Sequence, residues 1–434
     1  MLELEQKIKD KSAKVGIVGL GYVGLPLAIA FSEANFKTLG IDIQQKRVDE
    51  VNQGHSYITD VSGERLQAAI ANNLLQATTD QSRLKETDVV CICVPTPLTS
   101  TKDPDLSYVI HESREICKYL QPGQLIVLES TTYPGTTTKL TLPILETSGL
   151  HGGTDFYLAY SPERVDPGSK AYGINNTPKV VGGINDESTR LASLLYNQIA
   201  ETVISVSCPE VAEMTKIFEN VFRSVNIALV NELAQLCQRF NISVWEVIAA
   251  ASTKPFGYMP FYPGPGIGGH CIPLDPYYLA HKARELDFHT RFIELAAEIN
   301  EHMPYYVMSQ VTEALNARGK SSNGANVFVL GIAYKKDIED TRESPALKII
   351  QLLHEKGASV SYNDPYIPTI KLPQGEIASI ELNESSLSSA DCVIIATDHS
   401  CYDLNKVVAH SKLIYDTRGA TRGLEGDNIV RLGE

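Results

Sequence analysis

Cys271 ends the most unusual segment of the sequence, a loop with four glycines and two prolines at residues 263–269. Backbone of this composition can approach a bound ligand closely, because glycine has no Cβ and proline restricts the turns. A cysteine here is poorly placed to fill a core, whereas a thiolate is a strong nucleophile toward a carbonyl carbon. Asp275, four residues later, can reach the same site directly or through water. The segment predicts a reactive thiol; the alternative is a tight turn that carries a bystander thiol.

A glycine pattern near the N-terminus predicts a second chemical function. Gly19, Gly21 and Gly24 follow a β-branched run and open an apolar helix, and Asp42 ends the next predicted strand, 21 residues after Gly21. This spacing is typical of a dinucleotide site, in which the pyrophosphate approaches backbone N–H groups at the start of a helix. Asp42 would accept hydrogen bonds from the adenosine ribose and repel a 2′-phosphate, which favours NAD over NADP. The alternative is a glycine turn in an unrelated doubly wound protein.

A dinucleotide site combined with a nucleophilic thiol indicates a specific chemistry. An alcohol oxidised once gives an aldehyde, and a thiolate that adds to this aldehyde forms a thiohemiacetal. Loss of a second hydride then gives a thioester, and hydrolysis releases a carboxylate. Two NAD would be consumed for each substrate molecule, without release of free aldehyde.

Polar residues recur along one predicted helix after residue 209. Glu213, Lys216, Asn220 and Arg223 occupy positions i, i+3, i+7 and i+10, so we expect them to share one face. A lysine and an asparagine one turn apart can polarise a developing oxyanion. The alternative is a solvated face of mixed charge.

The elements that must position these residues fall into three parts. Residues 1–206 and 319–434 alternate strand-like runs with helices, and residues 207–318 form long amphipathic helices around a Pro/Gly-rich loop at 255–269. This pattern predicts an α/β protein in which two Rossmann-like doubly wound domains are joined by a central helical domain. The predicted strands are 14–18, 38–41, 89–94, 125–128, 156–160, 326–330, 359–362, 392–396 and 412–415, and a helix is predicted near 345–356.

Composition limits the partners of the chain. Lys and Arg total 38 against 52 Asp and Glu, a net charge of −14, which argues against nucleic acid or an anionic membrane as a partner. No apolar run reaches the ~18 residues of a membrane span, and no apolar leader follows the charged first residues, so we expect a cytoplasmic enzyme. The eight cysteines include no CxxC pair and no zinc spacing, so no metal site is expected.

Seven motifs, taken together, resemble the UDP-glucose/GDP-mannose dehydrogenase family from Val15 to Arg418. They are GLGYVGLP at 19–26, CVPTP at 93–97, ESTTYPGT at 129–136, SPERVDPG at 161–168, EMTKIFEN at 213–220, PGPGIGGHCIPLD at 263–275 and GIAYKKDIEDTRESP at 331–345. The resemblance implies an NAD-dependent oxidation of the C6 alcohol of a UDP-sugar to a carboxylate, for bacterial or archaeal surface polysaccharide precursors. It also implies a homodimer formed by the helical middle, and a C-terminal domain that holds the uridine diphosphate.

The resemblance assigns a role to individual residues. The implied catalytic residues are Cys271 as nucleophile, Lys216 and Asn220 at the C6 oxyanion, Asp275 for water or proton transfer, Glu163 as general base for hydrolysis and Thr131 to orient the water. The implied cofactor contacts are Gly19, Gly21, Tyr22, Val23, Gly24, Asp42, Arg47, Pro95, Thr96, Thr131 and Arg342. The implied substrate contacts are Glu163, Arg164, Val165, Lys216, Asn220, Arg223, Tyr262, Gly268 and Lys335.

Departures from the UDP-glucose enzymes indicate the branch of the family. Those enzymes typically have GGSC followed by a proline-lysine-aspartate, whereas this chain has His270 before the cysteine and Leu274 in place of the lysine. They also have a second glutamate where this chain has Pro167. The pattern looks like the branch that oxidises UDP-N-acetylhexosamines, with the N-acetylglucosamine sugar expected first, and N-acetylmannosamine or glucose as alternatives.

Two rival functions remain at this point. A two-electron enzyme, such as a 3-hydroxyacid dehydrogenase, also joins a dinucleotide domain to helices, but it leaves the third domain and the Cys271 loop unexplained. A nucleotide-sugar or NAD sensor without catalysis has no need for a nucleophilic thiol. The number of NADH formed per sugar, two, one or none, separates the three functions.

Overall fold

The computed structural model describes residues 2–58, 60–99, 101–165, 171–269, 271–373 and 375–434, without the side chains of Leu2 and Cys271. The chain divides into two compact units. Unit 1 comprises Met1–Glu219 and Tyr277–Phe288, and unit 2 comprises Asn220–Pro276 and His289–Glu434. The three-part division at 1–206, 207–318 and 319–434 stays a prediction.

An eight-stranded sheet forms the centre of unit 1. Its strands are β1 (Lys14–Val18), β2 (Lys37–Ile41), β3 (Leu75–Thr78), β4 (Val89–Ile92), β5 (Leu125–Leu128), β6 (Tyr157–Tyr160), β7 (Lys179–Gly183) and β8 (Val203–Ser205). Their order is β3-β2-β1-β4-β5-β6-β7-β8, and every neighbouring pair is parallel except β6 and β7. The order β3-β2-β1-β4-β5-β6 is that of dinucleotide-binding domains, which bind their ligand where the order reverses, between β1 and β4.

Apolar strand residues cover both faces of this sheet. Val15 and Ile17 pack on one face with Leu25, and Val18 and Ile92 belong to the cluster on the other face. Strands buried on both sides are typical of parallel sheets that helices cover from above and below. The helices of unit 1 are α1 (Leu2–Lys9), α2 (Gly24–Glu33), α3 (Gln45–Asn52), α4 (Gly63–Ala71), α5 (Ser107–Tyr119), α6 (Leu142–Glu146) and α7 (Asp186–Tyr196), with a 3-10 turn at Gln81–Glu86 and a π-helical turn at Thr137–Thr141.

Four helices occupy most of the middle of the chain. They are α8 (Pro209–Arg239), α9 (Val244–Ala251), α10 (Cys271–Arg284) and α11 (Arg291–Ala317). Helices α8 and α10 contain residues of both units. Trp245 of α9 is buried with Ala234 and Cys237 of α8, and its indole N–H donates to the carbonyl of Leu432 at 2.9 Å. No helix in the described part of the chain is long and apolar enough to cross a bilayer.

A second parallel sheet forms the centre of unit 2. Its elements are β9 (Asn326–Leu330), α12 (Pro345–Glu355), β10 (Ser359–Asn363), α13 (Glu384–Ser389), β13 (Cys392–Ile395), α14 (Leu404–His410), β14 (Ile414–Asp416) and β15 (Ile429–Arg431), and a separate hairpin joins β11 (Thr369–Leu372) to β12 (Gly375–Ala378). The strand order is β10-β9-β13-β14-β15. Val307 and Val311 of α11 pack with Ile349 and Leu353 of α12 on one face.

The predicted fold class, with two Rossmann-like sheets and helices between them in sequence, is confirmed. Strands β1, β5 and β9 have the predicted bounds, and the other six predicted strands agree within two residues at each end. The sequence analysis does not predict β3, β7, β8, β11, β12 or β15. Of these, β7 pairs with β6 and so borders the predicted residue Glu163.

Candidate active site

The glycine turn after β1 has the geometry that a dinucleotide requires. Gly19 has φ +90°, and a Cβ there would lie 2.6 Å from the carbonyl oxygen of Cys93. A Cβ on Gly24 would overlap the carbonyl of Gly19, so this glycine sets the close packing of α2. A Cβ on Gly21 would meet no atom within 4 Å. The space above Gly21 at the start of α2 therefore fits a pyrophosphate, which needs backbone N–H groups and no side chain.

Asp42 lies at the end of β2, where a ribose-binding carboxylate is expected. Its Oδ2 accepts the backbone N–H of Leu20 at 2.9 Å, and its Oδ1 accepts that of Gln44 at 2.8 Å. Arg47 Nη1 contacts Oδ2 at 3.3 Å, so the structure brings together two predicted cofactor residues. The Tyr57 hydroxyl, which the sequence patterns do not single out, donates to the Leu20 carbonyl at 2.7 Å and so fixes the same turn.

The loops after β4 and β5 meet, as the adjacent parallel strands require. Thr96 Oγ1 donates to the carbonyl of Thr131 at 2.8 Å, and Ser130 Oγ donates to that of Val94 at 2.8 Å. The hydroxyl of Tyr278 donates to the carbonyl of Thr96. Of the remaining predicted cofactor residues, Tyr22 is 48% exposed, and Val23 packs against the core at the start of α2. Pro95 lies between the two hydrogen-bonded loop positions Val94 and Thr96.

Glu213 of α8 is buried and holds the loop after β5. Its carboxylate accepts the backbone N–H groups of Gly135 at 2.6 Å and Thr137 at 2.8 Å, and the Thr137 hydroxyl at 2.7 Å. Burial raises the pKa of Glu213 to about 7, although these hydrogen bonds oppose the shift. This residue is a structural clamp on the loop that carries Thr131.

The face of α8 is not a uniform solvated stripe. Lys216 and Asn220 are buried like Glu213, whereas Arg223 is exposed. Arg223 at i+10 lies at the edge of the arc, roughly 80° from Glu213 and roughly 20° from Lys216. The four residues therefore fall within one arc of the helix, but Arg223 is not buried with the other three.

Asn220 and Asp275, two predicted catalytic residues of unit 2, contact each other directly. The Asn220 amide nitrogen donates to Asp275 Oδ2, and both side chains are buried. The carboxylate therefore fixes the orientation of the amide and leaves its second N–H for another acceptor. Lys216 lies one turn earlier on α8.

Glu163, after β6, has one carboxylate oxygen in use and one without a hydrogen bond. Oε1 accepts the backbone N–H groups of Arg164 at 2.7 Å and Val165 at 2.6 Å. Oε2 is buried without a hydrogen-bond partner among the described residues, and the ammonium of Lys179 lies 3.8 Å from it. The Arg164 guanidinium pairs with Glu219 at 2.6 Å. Pro167, singled out in the sequence, lies outside the described residues.

The glycine loop before Cys271 packs tightly within unit 2. Its Gly264 N–H donates to Asn231 Oδ1 at 3.0 Å, and its Gly269 N–H donates to the Arg342 carbonyl at 2.9 Å. A Cβ on Gly268 would lie 2.5 Å from the Cβ of Tyr334. The loop is thus held against the segment after β9.

The predicted nucleophile is described only in part. Cys271 is the first residue of α10, but its side chain and the whole of His270 lie outside the described residues. The other seven cysteines form no disulfide in the described structure. No group of three His, Cys, Asp or Glu suited to a metal ion occurs in the described ranges.

Three further predicted ligand residues lie in unit 2. Tyr262 stacks on Trp245 with ring centroids 6.4 Å apart, and the guanidinium of Arg422 lies over the Trp245 ring. Arg342 pairs with Asp340 at 2.6 Å, and Lys335 is half-buried in the segment after β9. Sequence patterns give no signal for Trp245 or Arg422, because their stacking joins residues far apart in the chain.

Comparisons with known proteins match the whole of this arrangement. Residues 13–200, 210–302 and 328–423 match, in order, the NAD binding, central and UDP binding domains of the UDP-glucose/GDP-mannose dehydrogenase family. UDP-N-acetyl-D-mannosamine dehydrogenase of Pyrococcus horikoshii is 37% identical over 93% of this chain and 95% of its own length. UDP-N-acetyl-D-glucosamine 6-dehydrogenase of Pseudomonas aeruginosa is 36% identical over 94% and 97%.

A solved structure shows the same fold over nearly the full length. The UDP-D-N-acetylmannosamine dehydrogenase of P. horikoshii superimposes with a TM-score of 0.88 and 33% identity, over 97% of this chain and 99% of that one. The open glycine turn with Asp42 lies inside the segment that matches the NAD binding domain, so NAD is the cofactor. The chain belongs to the UDP-glucose/GDP-mannose dehydrogenase family.

Proposed function

We propose that this chain oxidises the C6 alcohol of a UDP-N-acetylhexosamine to the carboxylate, in the cytoplasm, where the pools of NAD and nucleotide sugars lie. The observation that carries this proposal is the ordered match to NAD binding, central and UDP binding domains along one chain. UDP-N-acetylglucosamine is the first candidate substrate, in line with the relative from P. aeruginosa. UDP-N-acetylmannosamine is the second, in line with the relative and the solved structure from P. horikoshii.

In the first half of the proposed reaction, the C6 alcohol gives its proton to a water molecule held at Asp275, and the chain stabilises the alkoxide that forms. Bound NAD would supply the hydride acceptor for each oxidation. We assign the oxyanion to the Lys216 ammonium and to the second N–H of Asn220, since Asp275 engages the first. We assign Lys335 to the diphosphate of the UDP-sugar, for which it contributes a positive charge, and Arg342 to a contact with NAD.

In the second half, the thiolate of Cys271 adds to the C6 aldehyde, and the adduct becomes a thioester after the second oxidation. Cys271 is the first residue of helix α10. Water then adds to the thioester carbonyl. Glu163 Oε2 takes the proton of this water, Thr131 orients it, and the carbon–sulfur bond breaks as the thiolate leaves. Oε2 has no hydrogen-bond donor among the residues that the structure describes, and this supports the role.

We also propose that the protein is a homodimer through α8. Its exposed apolar side chains recur at a spacing of four and seven residues, at Phe218, Phe222, Leu229 and Leu236, and Phe240 directly after the helix continues the series; each is at least 41% exposed. Such a stripe on one helix is typical of a helix–helix interface. Light scattering should give twice the chain mass for the wild type and the single mass for Leu229→Asp/Leu236→Asp.

An absorbance screen tests the proposed reaction. Purified enzyme and NAD are mixed with UDP-glucose, UDP-N-acetylglucosamine, UDP-N-acetylgalactosamine and UDP-N-acetylmannosamine, and NADH is measured per sugar consumed. We expect two NADH with an N-acetylhexosamine substrate, and we expect Cys271→Ser to lose the second oxidation far more than the first. One NADH per sugar, or none with any sugar, would overturn the proposal.

A further inference from the structure

Three charged side chains meet at one edge of the sheet in unit 1. Glu129 directly follows β5, Glu163 lies three residues beyond β6, and Lys179 begins β7. Strands β6 and β7 are antiparallel with Tyr160 opposite Gly182. Three more steps along this register place Glu163 opposite Lys179. Antiparallel pairing thus brings a cation to the proposed general base.

Lys179 is held mainly by groups other than Glu163. Its ammonium lies 2.7 Å from Glu129 Oε2 and 3.3 Å from the carbonyl of Pro162, and it sits 5.0 Å from the ring centre of Tyr196. The Tyr196 hydroxyl donates to the other oxygen of Glu129. The side chains of Lys179 and Glu129 are 4% and 0% exposed. The ammonium therefore has a fixed position in the protein interior.

The charge of this ammonium is maintained by its two acidic neighbours. Burial lowers the pKa of Lys179, but the combined attraction of Glu129 and Glu163 more than offsets this effect and raises it above its ordinary value. A buried cation is tolerated only when it is paired in this way. Lys179 is therefore positively charged throughout the neutral range.

The distance between Lys179 and Glu163 has a chemical consequence. At 3.8 Å the two charges attract each other, but the separation is too long for a hydrogen bond. Since Glu129 holds the ammonium at 2.7 Å, Lys179 attracts Glu163 Oε2 without occupying its lone pairs. A general base needs this combination, a fixed carboxylate oxygen whose lone pair is not taken by another donor.

We propose that Lys179, held in place by Glu129, is a positioning residue for the hydrolysis of the thioester: it fixes the Glu163 carboxylate and leaves the lone pairs of Oε2 for the water molecule that attacks. The proposal rests on the proposed function, in which Glu163 is the general base. Water oxygen bonds to the thioester carbon, Oε2 takes the proton, and the sulfur of Cys271 leaves with its electron pair. Lys179 bonds to none of the reacting atoms.

Replacement of the charge tests the proposal directly. In Lys179→Met we expect both NADH to form in a rapid-mixing experiment, because the oxidation steps do not use Glu163. Hydrolysis should slow by roughly tenfold to a hundredfold, the scale of a small misplacement of a catalytic group. Intact-protein mass spectrometry should then detect the acyl-sugar-nucleotide adduct, while KM for NAD changes little. Lys179→Arg should restore most of the hydrolysis.

Glu129→Gln provides a second, independent variant. Without the carboxylate at 2.7 Å, the ammonium of Lys179 should move toward Glu163 and donate to Oε2, so the same adduct should accumulate. If Lys179→Met does not fold, accumulation of the adduct in Glu129→Gln tests the proposal instead. Lys7→Met is the matched control, because it removes the half-buried ion pair with Asp88 in the same unit. It should leave every step at the wild-type rate.

Glu163→Gln distinguishes a failure of the role proposed for Lys179 from a failure of the proposed function. If Glu163→Gln accumulates the adduct but Lys179→Met and Glu129→Gln do not, the role of Lys179 is wrong and the proposed function stands. If Lys179→Met slows both oxidations and the hydrolysis equally and unfolds at a lower temperature than the wild type, Lys179 has a structural role only. If Glu163→Gln forms no adduct, the proposed function fails and the role of Lys179 falls with it.

Discussion

The two parallel sheets of this chain begin in the same way and then diverge. Gly19 after β1 and Gly331 after β9 both have φ near +85°, at +90° and +82°, and both lack room for a Cβ beside a carbonyl of the neighbouring strand loop. Asp42 after β2 accepts the N–H that follows Gly19, and Asp364 after β10 accepts the N–H that follows Gly331. The first turn of each Rossmann-like domain is therefore the same.

The two domains differ in the hydrogen bonds of these aspartates and in the distance along the chain from each glycine turn to the next helix. Asp42 is bonded by two backbone amides and loosely by Arg47. Asp364 is bonded by four amides and by His399 Nε2 at 3.0 Å. Helix α2 starts five residues after Gly19, whereas α12 starts only at Pro345. The first turn thus offers a helix N-terminus to a phosphate, whereas no helix starts close to the second turn.

Among the predicted effects, replacement of a glycine at either turn should change ligand affinity the most. In Gly24→Ala, the new Cβ overlaps the Gly19 carbonyl and displaces α2, so NAD affinity should fall roughly a hundredfold or more. UDP affinity, measured by the same calorimetric titration, should not change. In Gly331→Ala the pattern should reverse, with UDP binding impaired and NAD binding kept. A Gly24→Ala variant that binds NAD normally would remove the glycine turn from the cofactor site.

The buried acids of the two units should respond oppositely to pH. Burial raises the pKa of Glu213 from 4.5 to about 7, so its contribution to stability is full at low pH and is lost as pH rises toward 7. The pKa of Asp364 is lowered: burial opposes this shift, but the hydrogen bonds from His399 and backbone amides outweigh it. Its contribution is present above its ordinary pKa and is lost as pH falls below it.

Chemical denaturation as a function of pH measures this contrast. We compare the free energy of unfolding of Glu213→Gln with that of the wild type at each pH. This difference should rise in favour of the variant by up to about 3 kcal/mol between pH 4.5 and about 7. Glu64→Gln, which changes an exposed acid on α4, is the control. Parallel pH curves for wild type and Glu213→Gln would show that Glu213 does not titrate in this range.

Cofactor choice should give the smallest effect. Asp42→Asn removes the charge that repels a 2′-phosphate, so the preference in kcat/KM for NAD over NADP should fall about tenfold, or ~1.4 kcal/mol. Asp364→Asn should leave that preference unchanged but cost roughly 2 kcal/mol of stability, because its hydrogen-bonded carboxylate is buried. An unchanged preference in Asp42→Asn would place the ribose elsewhere.

Local sequence patterns predict the elements but not the contacts between them. Strands β1, β5 and β9 follow from continuous apolar runs, and the turn at Gly19 follows from glycine spacing. The pairing of Lys179 with Glu129 does not, since it depends on an antiparallel strand that no local pattern marks. The exposure of Arg223 is likewise invisible in a periodic pattern, because a helix position at the edge of an arc is buried only if a neighbour covers it.

The contact between Gly268 and Tyr334 has a consequence for the evolution of the glycine loop before Cys271. A Cβ on Gly268 would collide with the Cβ of Tyr334, an atom whose place no rotamer change can alter, and would also lie 2.9 Å from the Glu343 carbonyl. Replacement of the tyrosine side chain therefore cannot compensate for a mutation at Gly268. Position 268 therefore tolerates no side chain without a shift of the backbone, and we expect substitutions in this loop to accumulate at positions other than Gly268.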